Sequence, residues 1–159
     1  MGVKQTMSTL YMLVGVPGSG KSTWVNNQSW SKNCVYLSSD NFIEEYATSV
    51  GKTYNEVFNE YVKTATQLLT KRAITANVAE SDAIWDQTNM SIKSRASKLK
   101  LFPCYKKIAV VFSKPDDEEL ARRLANRPGK EISESIITSM INNFQMPTTE
   151  EGFDEIWHV

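Results

Sequence analysis

The chain carries only two cysteines in 159 residues, Cys34 and Cys104, each inside or beside an apolar run. Neither shows the paired spacing of a zinc site, and both are expected to be buried, reduced thiols. Net charge is missing as well, with 18 lysines and arginines against 18 aspartates and glutamates. That balance argues against a protein that grips long stretches of nucleic acid through a broad basic surface, though it leaves room for a local basic patch. No apolar run approaches the roughly 18 residues that a membrane span needs. The polar start, Met1 to Thr9, lacks the apolar segment of a secretory signal, so the expected compartment is the cytoplasm and no membrane partner is expected. No internal repeat, low-complexity stretch or linker divides the chain.

What is present is ordinary for a globular domain: 41% hydrophobic and 23% charged residues. The length suits one domain, residues 1–159, large enough for a core without metal or disulfide staples. Two element types alternate. Strands are expected at Leu10 to Val14, Cys34 to Leu37, Ala83 to Trp85, Lys107 to Phe112 and Glu155 to Val159. Helices are expected at Lys21 to Gln28, Asp40 to Ala47, Tyr54 to about Ala79 and Ser91 to Leu101. Two more follow, one opened by Pro115 and one holding Ile136, Ile137, Met140, Ile141 and Phe144, with Ser133 as its N-cap. Such alternation points to an α/β fold around a mostly parallel sheet of about five strands, with helices on both faces.

Gly15-Val16-Pro17-Gly18-Ser19-Gly20-Lys21-Ser22 satisfies the phosphate-loop pattern G-x-x-x-x-G-K-[ST] between a strand and a helix. Its glycines permit a tight turn whose amides face one anion, and the following helix aims its positive end at the same place. Lys21 is placed to reach the β- and γ-phosphates and the Ser22 hydroxyl to ligate Mg²⁺. The expected cofactors are therefore ATP, or another nucleoside triphosphate, and Mg²⁺. Gly15, Pro17, Gly18, Ser19, Gly20, Lys21, Ser22 and Thr23 form the donor site.

Two acids fall where strands end, the edge at which open α/β sheets bind ligands. Asp40 follows the second strand and Asp86 the third; either suits proton acceptance from an attacking hydroxyl, or Mg²⁺ held through water. Asp40 also suits a helix N-cap, and Asp86 a turn residue in Asp-Gln-Thr-Asn. Arg122 reads best as a charge complementing a helix end. Arg127, in the loop Arg127-Pro128-Gly129-Lys130, reads as a lid arginine that neutralises charge on a transferring phosphoryl group. Between Ser91 and Lys107 lie Lys93, Arg95, Lys98, Lys100, Lys106 and Lys107 with no acid. This segment is either a solvated helix face or a patch for the phosphates of a nucleic-acid acceptor.

Together these segments resemble the P-loop polynucleotide 5′-hydroxyl kinase family, including the kinase domains of bacteriophage and animal end-healing enzymes, over nearly the whole chain. The resemblance is carried by residues 15–24, Ser38-Ser39-Asp40, Asp86-Gln87-Thr88-Asn89, the stretch Arg122 to Arg127, and the ending Phe144 to Thr148 with Glu151-Gly152-Phe153. It implies a P-loop kinase fold with a small lid, and Asp40 as the general base for a 5′-hydroxyl. It further implies Arg127 as the lid arginine on the donor phosphates and Arg123 as a second phosphate-side or structural arginine. Thr88 and Asn89 match the string lining the acceptor side, beside Asp86, with Lys93 a candidate acceptor contact. Phage members carry an arginine three residues beyond the base that binds acceptor phosphate; here that position is Ile43. The phosphatase domain joined to many members is absent from this sequence.

The implied activity is transfer of a γ-phosphate to the 5′-hydroxyl end of RNA or DNA, with a separate phosphatase or ligase, and a homo-oligomer, as possible partners. A small-molecule kinase acting on a sugar, nucleoside or nucleotide sugar is the alternative that Ile43 favours. A module that hydrolyses nucleoside triphosphate without an acceptor is the third.

Overall fold

Strand β1 (Thr9–Val14) has Leu10, Met12, Leu13 and Val14 all fully buried, because it lies mid-sheet with cover on both faces. In the computed structural model, which describes residues 7–159, it pairs in parallel with β3 (Ala83–Trp85) on one side and β4 (Lys106–Val111) on the other. The outer strands β2 (Val35–Leu37) and β5 (Glu155–His158) complete an all-parallel sheet of order β2-β3-β1-β4-β5.

The alternation of side chains along β1 splits the core in two. Leu10, Met12 and Val14 face Leu69, Ala73 and Ala76 of α3 (Tyr54–Val78) and Leu99 of α4 (Ile92–Leu99), with Phe102, Tyr105 and Phe153 completing that layer. Leu13 and Tyr11 face the other way, toward Val25 and Trp24 of α1 (Lys21–Asn27), Trp30, Phe112 and Trp157. Each fully buried Leu, Val or Ile in these layers contributes roughly 1.5–3 kcal/mol. A third cluster joins α2 (Ser39–Ser49) to α3 through Ile43, Ala47, Val57 and Ala65, beside stacked Tyr46 and Tyr61 rings 4.1 Å apart. A fourth binds α5 (Asp117–Ala125) to α6 (Glu134–Asn142) through Leu120 and Ile137 and seats both against Val16 of the phosphate loop.

Long α3 starts cleanly because Thr53 and Glu56 form a reciprocal capping box. Ser133 caps α6 as its sequence predicts, its hydroxyl accepting from the Ile136 amide. Helix α5 differs from expectation. Asp116 caps it by accepting from the Glu119 amide, so Pro115 stands before the helix rather than in its first turn. The cysteines differ too: Cys104 is exposed and Cys34 only half-buried, its thiol pushed up to about 11 by burial and the Asp82 charge. No helix among the described residues is long and apolar enough to cross a membrane.

Candidate active site

The carboxyl ends of β1, β2 and β3 open on one cleft of about 1650 Å³. Its donor wall is the loop from Gly15 to Gly20. Gly18 and Gly20 adopt φ of +80° and +98°, which only glycine takes without strain. A Cβ on Gly15 would lie 2.7 Å from the Ser19 hydroxyl, so the loop closes this tightly only without a side chain there. That hydroxyl is buried without a protein partner. Lys21 Nζ bends over the loop and donates to the carbonyls of Gly15 (2.8 Å) and Val16 (2.9 Å). Burial lowers its pKa to about 8; the Asp86 charge opposes the shift and Arg127 adds to it. An orphaned hydroxyl, a partly desolvated ammonium and the unpaired first-turn amides of α1 together make a cradle for phosphate oxygens. Pro17, Ser22 and Thr23 line the same wall.

The opposite wall holds both predicted acids. Ser38 takes the N-cap position of α2, so Asp40 is the second residue inside the helix and its carboxylate is free of capping duty. Tyr54, the first residue of α3, donates its hydroxyl to Asp40 Oδ1 at 2.6 Å. Asp86 leaves β3 into the cleft and accepts a hydrogen bond from the Tyr36 hydroxyl. Burial raises the Asp86 pKa above the usual carboxylate range, against the lowering effect of Tyr36 and Lys21. Both tyrosines are pushed up from 10 by burial and by their carboxylate partners, so they remain proton donors. Ser22 lies close enough to Tyr36 and Asp86 to favour their ionised forms. This hydroxyl–carboxylate pair has the oxygen chemistry that would suit a divalent cation. Among the described residues no group of three or more His, Cys, Asp or Glu side chains could hold a metal.

The lid connects α5 to α6. Arg123 Nη1 donates to the Gly18 carbonyl at 2.9 Å while its Nε pairs with Glu119, so it braces the donor loop. Arg122 also pairs with Glu119, whose carboxyl the two arginines hold at about 2. Arg127 lines the cleft with its Nη1 buried and without a protein partner. Thr88 lines the cleft, and its carbonyl anchors the root of the donor loop by accepting from the Gly15 amide at 3.0 Å.

Two candidates lie elsewhere. Asn89 is 1% exposed and beneath the loop: its amide group donates to the Leu13 carbonyl (2.7 Å) and accepts from Lys98. Its backbone is left-handed, with φ 49°. Lys93 is exposed on α4 and is not among the cleft residues. Nor do the six bases from 93 to 107 form one solvated patch. Arg95 is fully buried, gripping Glu151 (2.8 and 3.1 Å) and the Asn89 carbonyl (2.9 Å). Burial lowers Lys98 to about 8, and Lys106 pairs with Glu155 on β5. Tyr36, Tyr54, Glu44 and Lys130 are cleft residues that the sequence reading did not name as site residues. Tyr54 and Lys130 gave no signal beyond their place at a helix start and a lid loop.

Residues 10–147 match the model of the AAA domain family. The chain belongs to that family. Over 161 residues this AAA domain is 29% identical to the bifunctional polynucleotide phosphatase/kinase of Schizosaccharomyces pombe, covering 98% of this chain and 34% of that protein. It therefore spans about a third of that relative. In the solved structure of the Pnkp1/Rnl/Hen1 RNA repair complex, one chain matches at 25% identity and a TM-score of 0.66, over 95% of this chain and 48% of that one. Shikimate kinase from Acinetobacter baumannii, solved with shikimate, shares the fold at 17% identity and a TM-score of 0.55, covering 97% and 84% of the two chains. The AAA domain described here has the five-stranded parallel architecture of P-loop kinases.

Proposed function

We propose that this protein is a kinase that moves the γ-phosphate of ATP, or another nucleoside triphosphate, to the 5′-hydroxyl end of a nucleic acid. The observation that carries the reading is Asp40, a carboxylate free of capping duty, oriented by Tyr54 and lying across one cleft from Lys21 and the phosphate loop. The similarity to a polynucleotide phosphatase/kinase supports the choice of acceptor.

In this mechanism the loop amides and Lys21 hold the β- and γ-phosphates. Asp40 accepts the proton of the acceptor hydroxyl as its oxygen bonds to the γ-phosphorus and the bond to the β-bridging oxygen breaks, releasing nucleoside diphosphate. Lys21 and Arg127 neutralise the charge that spreads over the transferring oxygens. Tyr54 fixes the Asp40 carboxylate so that its second oxygen meets the substrate. Ser22 and Asp86 would hold Mg²⁺, which would supply further neutralisation of phosphate charge. The 5′-phosphate product is a ligase substrate, so a ligase activity is the partner this chemistry calls for.

The test is incubation with γ-labelled ATP and a 5′-hydroxyl oligonucleotide. Wild-type protein labels the oligonucleotide, and Asp40→Ala loses roughly 10²- to 10⁴-fold in rate, the usual worth of a general base. No transfer by the wild type, or undiminished transfer by the variant, defeats the reading. A kinase of small metabolites is the second reading, favoured by the acidic α2 edge, where Asp40 and Glu44 line the cleft and Ile43 is turned into the core. It predicts labelling of sugars or nucleosides but not of oligonucleotides, and acceptor-independent ATP hydrolysis would point to a nucleotide-driven switch.

A further inference from the structure

The acceptor end of the cleft is acidic. Every charged residue of α2 is an acid, Asp40, Glu44 and Glu45, and the first two line the cleft together with Glu131 of the lid. Ile43 is fully buried among Ala47, Val57 and Ala65, so helix α2 presents no cation to an acceptor. A phosphodiester beside the hydroxyl that Asp40 deprotonates would meet carboxylates at close range, and an uncompensated like charge there is strongly repelled.

Arg127, whose Nη1 has no protein partner, is assigned above to the transferring phosphoryl group, and most other cations of the cleft are already paired. Lys21 lies on loop carbonyls, Arg123 on Gly18 and Glu119, Arg122 on Glu119, and Lys114 on Asp117. Lys130 is different. Its Nζ lies 3.8 Å from Asp40 Oδ2, pairs closely with Glu44 Oε1, and sits 4.7 Å from the centre of the Tyr54 ring. Its side chain is 18% exposed, against 46% and 47% for the two acids, so the ammonium is set down among them rather than out in solvent. The lid fixes it there. Gly129, at φ +71°, packs on Thr53 and accepts from the Asn55 amide at 3.0 Å. The Asn55 side chain then bonds both the amide and the carbonyl of Glu131, at 3.0 and 3.2 Å.

We propose that Lys130 is the acceptor-binding cation, which exchanges Glu44 for the phosphodiester next to the 5′-hydroxyl and so sets a preference for anionic over neutral acceptors. The proposal rests on the polynucleotide reading above. An ammonium clamped by two acids and an aromatic face is already positioned and partly desolvated, and a phosphate oxygen can replace the Glu44 carboxylate without moving the lid. Because Lys130 reaches Asp40 only at 3.8 Å, the exchange leaves the Tyr54–Asp40 hydrogen bond intact.

The experiment compares two acceptors: a 5′-hydroxyl oligonucleotide, and the same oligonucleotide with a neutral methylphosphonate at its first linkage. Lys130→Ala is expected to raise the KM of the normal acceptor roughly 10- to 100-fold, the range for losing a charged hydrogen bond. The KM for ATP and the kcat at saturating acceptor stay within about threefold, and the methylphosphonate acceptor is affected far less. Lys130→Arg recovers most of the loss. An equal effect on both acceptors, or a loss confined to kcat, overturns the proposal, since either places Lys130 on Asp40 or on the fold. Wild-type protein that phosphorylates no oligonucleotide overturns the polynucleotide reading itself, before any variant is made.

Discussion

Around Lys21 the cleft is made mostly of backbone, whereas around Asp40 it is made of side chains. On the donor side, glycines at positive φ, an anchored loop root and helix amides present fixed donors that need no rearrangement to meet a triphosphate. On the acceptor side, Asp40, Tyr54, Glu44 and Lys130 come from three separate segments and are held to one another by hydrogen bonds and ion pairs. A backbone site serves one invariant ligand, a polyphosphate. A site of exchangeable side chains leaves acceptor choice to a few residues on an otherwise constant fold.

The largest expected effect comes from removing what supports the donor half. Glu151→Ala strands the Arg95 guanidinium in the core, which should destabilise the protein by roughly 3–5 kcal/mol, read as a lower urea midpoint. If the donor half depends on that support, affinity for ATP falls more than affinity for the oligonucleotide; an even loss would show that both halves lean on it equally.

Lys21→Met comes next. Transfer should drop roughly 10²- to 10³-fold, as when one transition-state donor is removed. Stability should not drop with it. The Lys21 pKa is about 8 in the folded protein against 10.5 for a free lysine, so the unfolded chain binds more protons between those values. Stability therefore rises with pH across that window in the wild type, and below pH 8 the buried charge is a burden that methionine lacks. Bound phosphates favour the ammonium, so wild-type affinity for ATP should weaken as pH climbs past about 8 while that of the variant stays flat. Calorimetric titration across pH 7 to 10 checks both.

The smallest effect sharpens the acceptor half. Asn55→Ala removes both side-chain bonds to Glu131 and loosens the lid without touching a charge. Acceptor KM should rise about three- to tenfold, with each neutral hydrogen bond worth roughly 1 kcal/mol, and the KM for ATP should barely change.

The same contrast explains what the sequence disclosed. The donor loop is legible because its glycine spacing is imposed by a backbone conformation, and that constraint is local. Asp40 and Asp86 are legible because strand ends define where an α/β sheet binds ligands. Thr88 lines the cleft, whereas its neighbour Asn89 lies beneath the loop with its side chain on the Leu13 carbonyl, a long-range contact that the string itself does not reveal. The acid-free run from 93 to 107 looked like one basic surface because the partners that neutralise it are remote. Glu151 lies 56 residues from Arg95, and Glu155 meets Lys106 across a strand pair. Lys130 escaped for the same reason: its partners, Glu44 and the Tyr54 ring, are far away in sequence.

The Arg95–Glu151 tie also bears on how the protein comes into being. Asn89 steadies the end of β1 and is itself held by Arg95, whose counter-charge lies 136 positions after Gly15. A ribosome thus makes the phosphate loop early and its brace late. Until Glu151 emerges, burying the Arg95 guanidinium would leave it without its carboxylate, so the packing beneath the loop is disfavoured. Nucleotide should protect stalled chains from protease only once that residue has cleared the exit tunnel, so the first motif to be translated is among the last parts to become functional.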